Sequence, residues 1–304
     1  MFSRVLFIGS KESGLNVLKI LYELSPDTLV GCVTVDDISD TRSKRNEIDK
    51  FCKGNSIPID ILTGRCDLTL SVEKYQPDLC IVMGWYYIIS ENVLNSVKGG
   101  FIGIHNSFLP AHRGFAPVVW AIIAGEKETG FSVFSFDKGM DTGAIWYQEK
   151  IEIEEQDYIS TVLNKIDSKI ESFFEKNYLK ILSGEIKPRP QTNEGVSYGA
   201  RRLPEDGRID WKKTANEIYN FIRAQSHPYP GAFSVYNGNI VRIFQSNCFE
   251  YSIQGNPGQI GLIENNNVVV VCGNNTGLVL DKVEVNANEI PISEYIQGIS
   301  YSFK

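Results

Sequence analysis

The stretch LCIVMGWYYIISENVLNSVKGGFIGIHNSFLP, Leu79 to Pro110, holds two apolar runs with a helical pattern between them. LCIVMGW (Leu79–Trp85) and FIGIH (Phe101–His105) are apolar and of strand length, as strands covered on both faces are. ISENVLNSV (Ile89–Val97) places Val93, Leu94 and Val97 on one helical face behind Ser90, a good N-cap residue. Strand, helix, strand is the repeating unit of a parallel sheet. The same alternation runs upstream. RVLFIG (Arg4–Gly9) precedes a helix over Leu15–Leu24, and TLVGCVTVD (Thr28–Asp36) precedes a charged helix over Ser43–Lys53. IPIDIL (Ile57–Leu62) precedes a short helix near Ser71. The fold expected is α/β, built on a Rossmann-like, mostly parallel sheet. Ligands of such sheets bind at the carboxyl ends of the strands, where Trp85 and His105 stand.

Downstream, the spacing predicts a helix over Ala116–Ala124 and strands over Thr129–Phe136 and Gly143–Ile153, joined by DKGMDTG. A long helix over Tyr158–Leu182 follows, with Leu163, Ile166, Ile170, Phe173 and Phe174 on its apolar face. Ser183–Gly207 is rich in turn formers and breaks all periodicity, so it reads as a linker. Beyond it come one helix (Thr214–Ala224) and short strand-like pieces separated by Gly and Asn turns. Their spacing suggests a small antiparallel barrel or sandwich. The domains expected are 1–183, a linker over 184–207, and a smaller C-terminal β domain over 208–304.

Composition narrows the class. The 304 residues suit two domains, and a hydrophobic fraction of 42% with 22% charged residues is ordinary for a globular protein. The formal charge of −7 gives no global basic field to attract nucleic acid. No apolar run approaches the roughly 18 residues that cross a bilayer, and the apolar start is a first strand rather than a secretory leader. The six cysteines, Cys32, Cys52, Cys66, Cys80, Cys248 and Cys272, show no C-x-x-C spacing. They read as reduced thiols of a cytoplasmic protein with no zinc site. GSKESG (Gly9–Gly14) lacks the glycine spacing of a dinucleotide loop.

Only three histidines occur, and two of them, His105 and His112, fall in one short turn. An imidazole titrates near pH 6.5, so His105 at a strand end can take or give a proton. The adjacent Asn106 amide can donate to an oxygen that becomes negative during reaction. Asp141, in a glycine-flanked loop, can orient an imidazolium. Asp137 fits better as a turn aspartate bonded to its own backbone. His112 reads as a solvent-side loop residue, and His227 as a turn residue fixed by Pro228 and Pro230.

GIHNSFLPAHRGFAPVVWAIIAGEKETGFSVFSFDKGMDTGAIW (Gly103–Trp146) resembles the signature of the folate-dependent formyltransferases. RRLPEDGRIDWKKTANEIYNFIRAQSHPYPGAF (Arg201–Phe233) resembles the start of the carboxyl-terminal domain shared by methionyl-tRNA formyltransferases and sugar N-formyltransferases. The resemblance implies a parallel-sheet catalytic domain, an OB-like β-barrel second domain, 10-formyltetrahydrofolate as donor, no metal, and a primary amine as acceptor. Of the family's Asn, His and Asp, His105 matches the histidine and Asp141 the aspartate. The family pattern N-x-H reads Gly103-Ile104-His105 in this chain, so Asn106 is the candidate replacement amide. Met83, Gly84, Trp85 and Tyr86 would line the pterin pocket, with Asp137 and Gly139 closing its other side. Ser107, Arg113 and Gly114 would form a substrate loop.

Three acceptor readings follow from the resemblance. From Glu205 to Lys304 there are seven Lys/Arg against ten Asp/Glu, a poor electrostatic surface for RNA. The basic cluster over Thr41–Lys53 reads as a mixed-charge helix face. The acceptor expected is therefore a nucleotide-linked amino sugar, with nucleic acid and membrane disfavoured as partners and a homodimer permitted. The alternatives are a methionyl-tRNA formyltransferase and a catalytically degenerate folate-binding protein.

Overall fold

In the computed structural model, residues 1–64, 67–264, 267–280 and 282–304 are described, so Cys66 lies outside the described residues. The elements run β1 (Val5–Gly9), α1 (Lys11–Leu24), β2 (Leu29–Val35), α2 (Arg45–Gly54), β3 (Ile59–Leu62), α3 (Thr69–Tyr75), β4 (Leu79–Met83), α4 (Glu91–Ser96) and β5 (Phe101–His105). β6 (Arg113–Gly114), α5 (Pro117–Ile123), β7 (Glu128–Ser135), β8 (Ile145–Glu152), α6 (Ile159–Ser183) and β9 (Tyr198–Gly199) follow. The chain forms two compact units. The first is Met1–Gly114, Gly130–Ile151 and Asn164–Tyr198, and the second is Phe115–Thr129, Glu152–Leu163 and Gly199–Lys304.

One seven-stranded sheet has the order β3-β2-β1-β4-β5-β7-β8. Strands β3 through β5 in that order pair in parallel, and β7 joins β5 antiparallel. Val5, Leu6, Phe7 and Ile8 are each fully buried. A strand buried on both faces cannot alternate, which is why β1 reads as an unbroken apolar run. α1 packs on β1 and β4, α2 on β2 and β3, and α3 on β2.

The winding reverses between β1 and β4, and there the backbones touch. Ser10 N donates to Met83 O at 3.1 Å and Ser10 Oγ to Gly84 O at 2.6 Å. Gly84 has φ +68, and a Cβ there would stand 2.6 Å from Ser10 O. Any larger residue would push the two strand ends apart. Register then fixes the site. Val82 pairs with Gly103, and His105 with Ser132.

In the second unit, α7 (Ala215–Gln225) begins at a capping box: Thr214 Oγ1 accepts from Glu217 N at 3.3 Å, and Glu217 Oε2 accepts from Thr214 N at 2.9 Å. Strands β10 (Ala232–Tyr236), β11 (Asn239–Ile243), β12 (Asn247–Cys248), β13 (Ile260–Glu264), β14 (Asn267–Val271), β15 (Gly277–Leu280), β16 (Lys282–Val285) and β17 (Asn288–Pro291) precede α8 (Ile292–Tyr295). They form two four-stranded sheets, β10-β11-β16-β17 and β12-β15-β14-β13, whose pairings are antiparallel. Both sheets contribute to one core with Trp211, Ile218, Val241, Val270, Leu278 and Phe303. The antiparallel β character is as expected, but no closed barrel forms among the described residues. Hairpins and longer-range pairings complete each sheet, and among the described residues no ladder joins the two.

Candidate active site

His105 ends β5 and is 9% exposed. Its Nε2 stands 2.7 Å from the His112 carbonyl oxygen. A carbonyl only accepts, so Nε2 carries the hydrogen and the neutral ring presents a bare lone pair at Nδ1. Nδ1 faces Asp141 Oδ2 at 3.6 Å, beyond hydrogen-bond reach. Two acceptors thus face one another across a gap. A proton arriving at Nδ1 converts them into an imidazolium–carboxylate pair. Such an arrangement can take up a proton and give it back.

Asp141 is held in place by a second bond, with Oδ2 accepting from Gly114 N at 2.7 Å. Its backbone is left-handed, φ +54. That conformation costs about 1 kcal/mol for a residue with a Cβ, least for Asp and Asn. His105 and Asp141, 36 positions apart in the chain, therefore meet at one end of the sheet.

Position 103, where the family pattern has asparagine, is crowded. A Cβ on Gly103 would stand 2.0 Å from Phe136 Cε1. The Phe136 ring fills that space, so a side chain at 103 requires the ring to move. Asn106 is half-buried directly after His105.

The other expected site residues fall into distinct settings. Met83 is buried at the end of β4, followed by Gly84 and Trp85. The Trp85 indole N–H is buried and meets no acceptor among the described residues. The Tyr86 hydroxyl donates to Asp37 Oδ2 at 3.2 Å. Asp137 Oδ1 accepts from Gly139 N at 2.9 Å and Thr142 Oγ1 at 2.6 Å, which makes it the turn carboxylate of its own loop. Ser107 is buried, and its hydroxyl closes the following turn on Ala111 O at 2.6 Å. Arg113 is buried, with Nη2 on Gln191 Oε1 at 2.6 Å and Nη1 3.4 Å from the Tyr198 hydroxyl.

Sequence reasoning missed two features. The first is a charged cluster past the ends of β1 and β2. Lys11 Nζ donates to Asp37 and, at 2.9 Å, to Asp40 Oδ2, while Ser43 Oγ donates to Asp37 Oδ1. Burial pushes the Asp37 carboxyl up, but hydrogen bonds from Lys11 and Ser43 and the Lys11 charge outweigh it and hold it below the usual range. Arg42 holds Asp40 well below that range, with help from Lys11 against burial. The neighbouring cations are also matched, Lys44 to Glu12 at 2.8 Å and Lys53 to Asp49 at 2.7 Å. The second feature is Gln191, inside the presumed linker. Its Nε2 donates to Asp141 O at 2.8 Å and Gly143 O at 2.7 Å. A lone glutamine in an aperiodic stretch carries no pattern that could have marked it.

Among the described residues no group of His, Cys, Asp and Glu is placed to hold a metal ion, and no helix is long and apolar enough to cross a membrane.

Two family models match the chain: formyl transferase over residues 63–176, and formyl transferase, C-terminal domain, over residues 203–300. The methionyl-tRNA formyltransferase of Syntrophus aciditrophicus is 30% identical over 300 residues, covering 97% of this chain and 95% of that protein. That of Enterococcus faecalis is 34% identical over 224 residues, 73% of this chain and 71% of its own. Among solved structures, the N-formyltransferase of Helicobacter canadensis in complex with folinic acid and dTDP-3-aminofucose superposes with a TM-score of 0.73. It covers 92% of this chain and 99% of its own at 21% identity, a likeness that carries the fold and no more.

These relatives overturn the expected acceptor. The nucleotide-linked amino sugar rested on a net charge of −3 over the last hundred residues, as did the exclusion of nucleic acid. Relatives that match through nearly the whole chain, such as those of Caldanaerobacter subterraneus and Syntrophus aciditrophicus, are methionyl-tRNA formyltransferases. A net charge sums a whole surface, whereas phosphate contacts need only a few local cations, so the sum could not decide between the two. With the family models and the relatives in agreement, the chain belongs to the formyl transferase family and is a folate-dependent N-formyltransferase.

Proposed function

We propose that this protein transfers the formyl group of 10-formyltetrahydrofolate to the amino group of methionyl-tRNA. The observation that carries the acceptor is similarity to methionyl-tRNA formyltransferases through 97% of the chain, second unit included. The end of β4 suits the donor. Met83 and Trp85 supply apolar surface, and the unpartnered Trp85 indole N–H is a donor awaiting an acceptor. The folate supplies a one-carbon unit already bonded to nitrogen.

The chain's own residues do the rest. The attacking amine must be neutral, and it turns acidic as its bond to carbon forms. His105 Nδ1 takes that proton, because Nε2 is committed to the His112 carbonyl. Asp141 at 3.6 Å stabilises the resulting imidazolium. His105 then passes the proton to the departing nitrogen. The formyl oxygen gains charge meanwhile, and the amide of Asn106, the residue directly after His105, is its donor.

Purified protein with 10-formyltetrahydrofolate and methionyl-tRNA is expected to yield formylmethionyl-tRNA, resolved by acid gel or mass spectrometry. A parallel panel of dTDP- and UDP-linked amino sugars provides the contrast. Formylation of a sugar with none of the RNA would overturn the proposal.

A further inference from the structure

The segment taken as a linker is bonded along the active-site loops. Arg189 exchanges backbone bonds with Ile145, at 2.7 and 2.8 Å, beside the Asp141 loop. Eight residues on, Ser197 Oγ accepts from His112 N at 2.8 Å and Ser197 O accepts from Arg113 N at 2.9 Å. The first contact holds the loop that carries Asp141. The second holds the loop whose His112 carbonyl orients His105.

Between them sits Gln191, with both amide hydrogens and its oxygen engaged. Both hydrogens of Nε2 go to carbonyls of the Asp141 loop, those of Asp141 and Gly143. Those bonds bracket the left-handed bend at Asp141. Oε1 takes the buried Arg113, the residue next to His112. One neutral side chain therefore ties the aspartate loop to the histidine loop.

We infer that Gln191 is a positioning residue for the transfer, setting the separation of His105 Nδ1 from Asp141. The inference rests on the reading that this pair moves the proton. Gln191 reaches no reacting atom and acts through Asp141. A loop misplaced by about 1 Å can cost about a hundredfold in rate. Gln191→Met keeps the length and removes every polar atom. Gln191→Glu keeps an acceptor for Arg113 but loses both donors.

Each variant is expected to lower kcat about 10- to 100-fold while KM for both substrates stays within about threefold. In an Asp141→Asn background, Gln191→Met is expected to cost less than about threefold more, because its route of action is already gone. Retained kcat, or an equal loss in both backgrounds, overturns the inference. A second readout needs no turnover. With 15N-labelled histidine only three rings report, and the His105 Nε2–H signal should move in Gln191→Met. An unchanged His105 signal in a folded variant also overturns it. Should the wild-type protein formylate no RNA, the proposed acceptor falls, while the ring signals still decide the role of Gln191.

Discussion

Two charged clusters stand at the carboxyl ends of strands in the same sheet, and they are finished differently. Past β1 and β2, Lys11, Asp37, Asp40, Ser43 and Tyr86 bond to one another. Past β5, His105 and Asp141 are each anchored on one side and left facing across 3.6 Å. A saturated cluster has little left to offer a substrate. An incomplete one, rigidly held, keeps a place for one more proton. The difference separates charge that is fully paired from charge with room for one more proton, the setting the proposed transfer needs.

That contrast can be broken at either cluster. The largest effect belongs to the incomplete one: His105→Ala or Asp141→Asn should cut kcat by about 10²- to 10⁴-fold with the melting temperature little changed. Next comes Asn106→Ala, expected to cost about 10²- to 10³-fold in kcat, the usual loss when one oxyanion donor is removed. Near-normal turnover in steady-state assays of Asn106→Ala would remove that amide from the mechanism.

The saturated cluster should answer in stability instead. Lys11→Met leaves Asp37 and Asp40 short of a partner, and urea unfolding should show a loss of about 1–3 kcal/mol. Turnover should stay within about threefold, and a catalytic collapse would show that the cluster is not merely structural. The sign with pH follows from the lowered carboxyls of Asp37 and Asp40. Their contribution is complete above the ordinary carboxylate value of about 4 and is lost as pH falls through the lowered native values. Wild type and Lys11→Met should therefore converge in melting temperature at low pH.

The smallest effect sits on α6. Burial, with Glu171 and Glu12 nearby, pushes the Asp167 carboxyl up to about 6. A raised carboxyl favours folding below its unfolded value of about 3.9 and loses that advantage as pH rises through about 6. Asp167→Asn should therefore stabilise the protein at pH 7.5, by about 1 kcal/mol after allowance for partial exposure. The gain should vanish near pH 3.5 in paired thermal melts.

Much of the first unit was legible because burial writes directly into sequence. FIGIH is the strand β5 to the residue, and the apolar run behind β1 is buried throughout. The meeting of His105 with Asp141 was readable only from the family resemblance, because β7 runs antiparallel to β5 and its loop must fold back to reach His105. The finish of the second unit was not. Alternation marks strands, but nothing local says which ladder each piece joins. The resemblance sets Tyr86 beside the donor pocket, and no local pattern announces the bond from its hydroxyl to Asp37. Gln191 was hidden for a deeper reason. An extended strap held by backbone bonds needs no apolar period, so its sequence looks like any linker.

The ring of Phe136 lying on Gly103 couples two positions that are 33 residues apart in the chain. An asparagine at 103 would drive its Cβ into that ring, so the ring would have to swing away or give way to a smaller side chain. Gly103→Asn and Phe136→Ala thus form a pair whose effects on stability should not simply add.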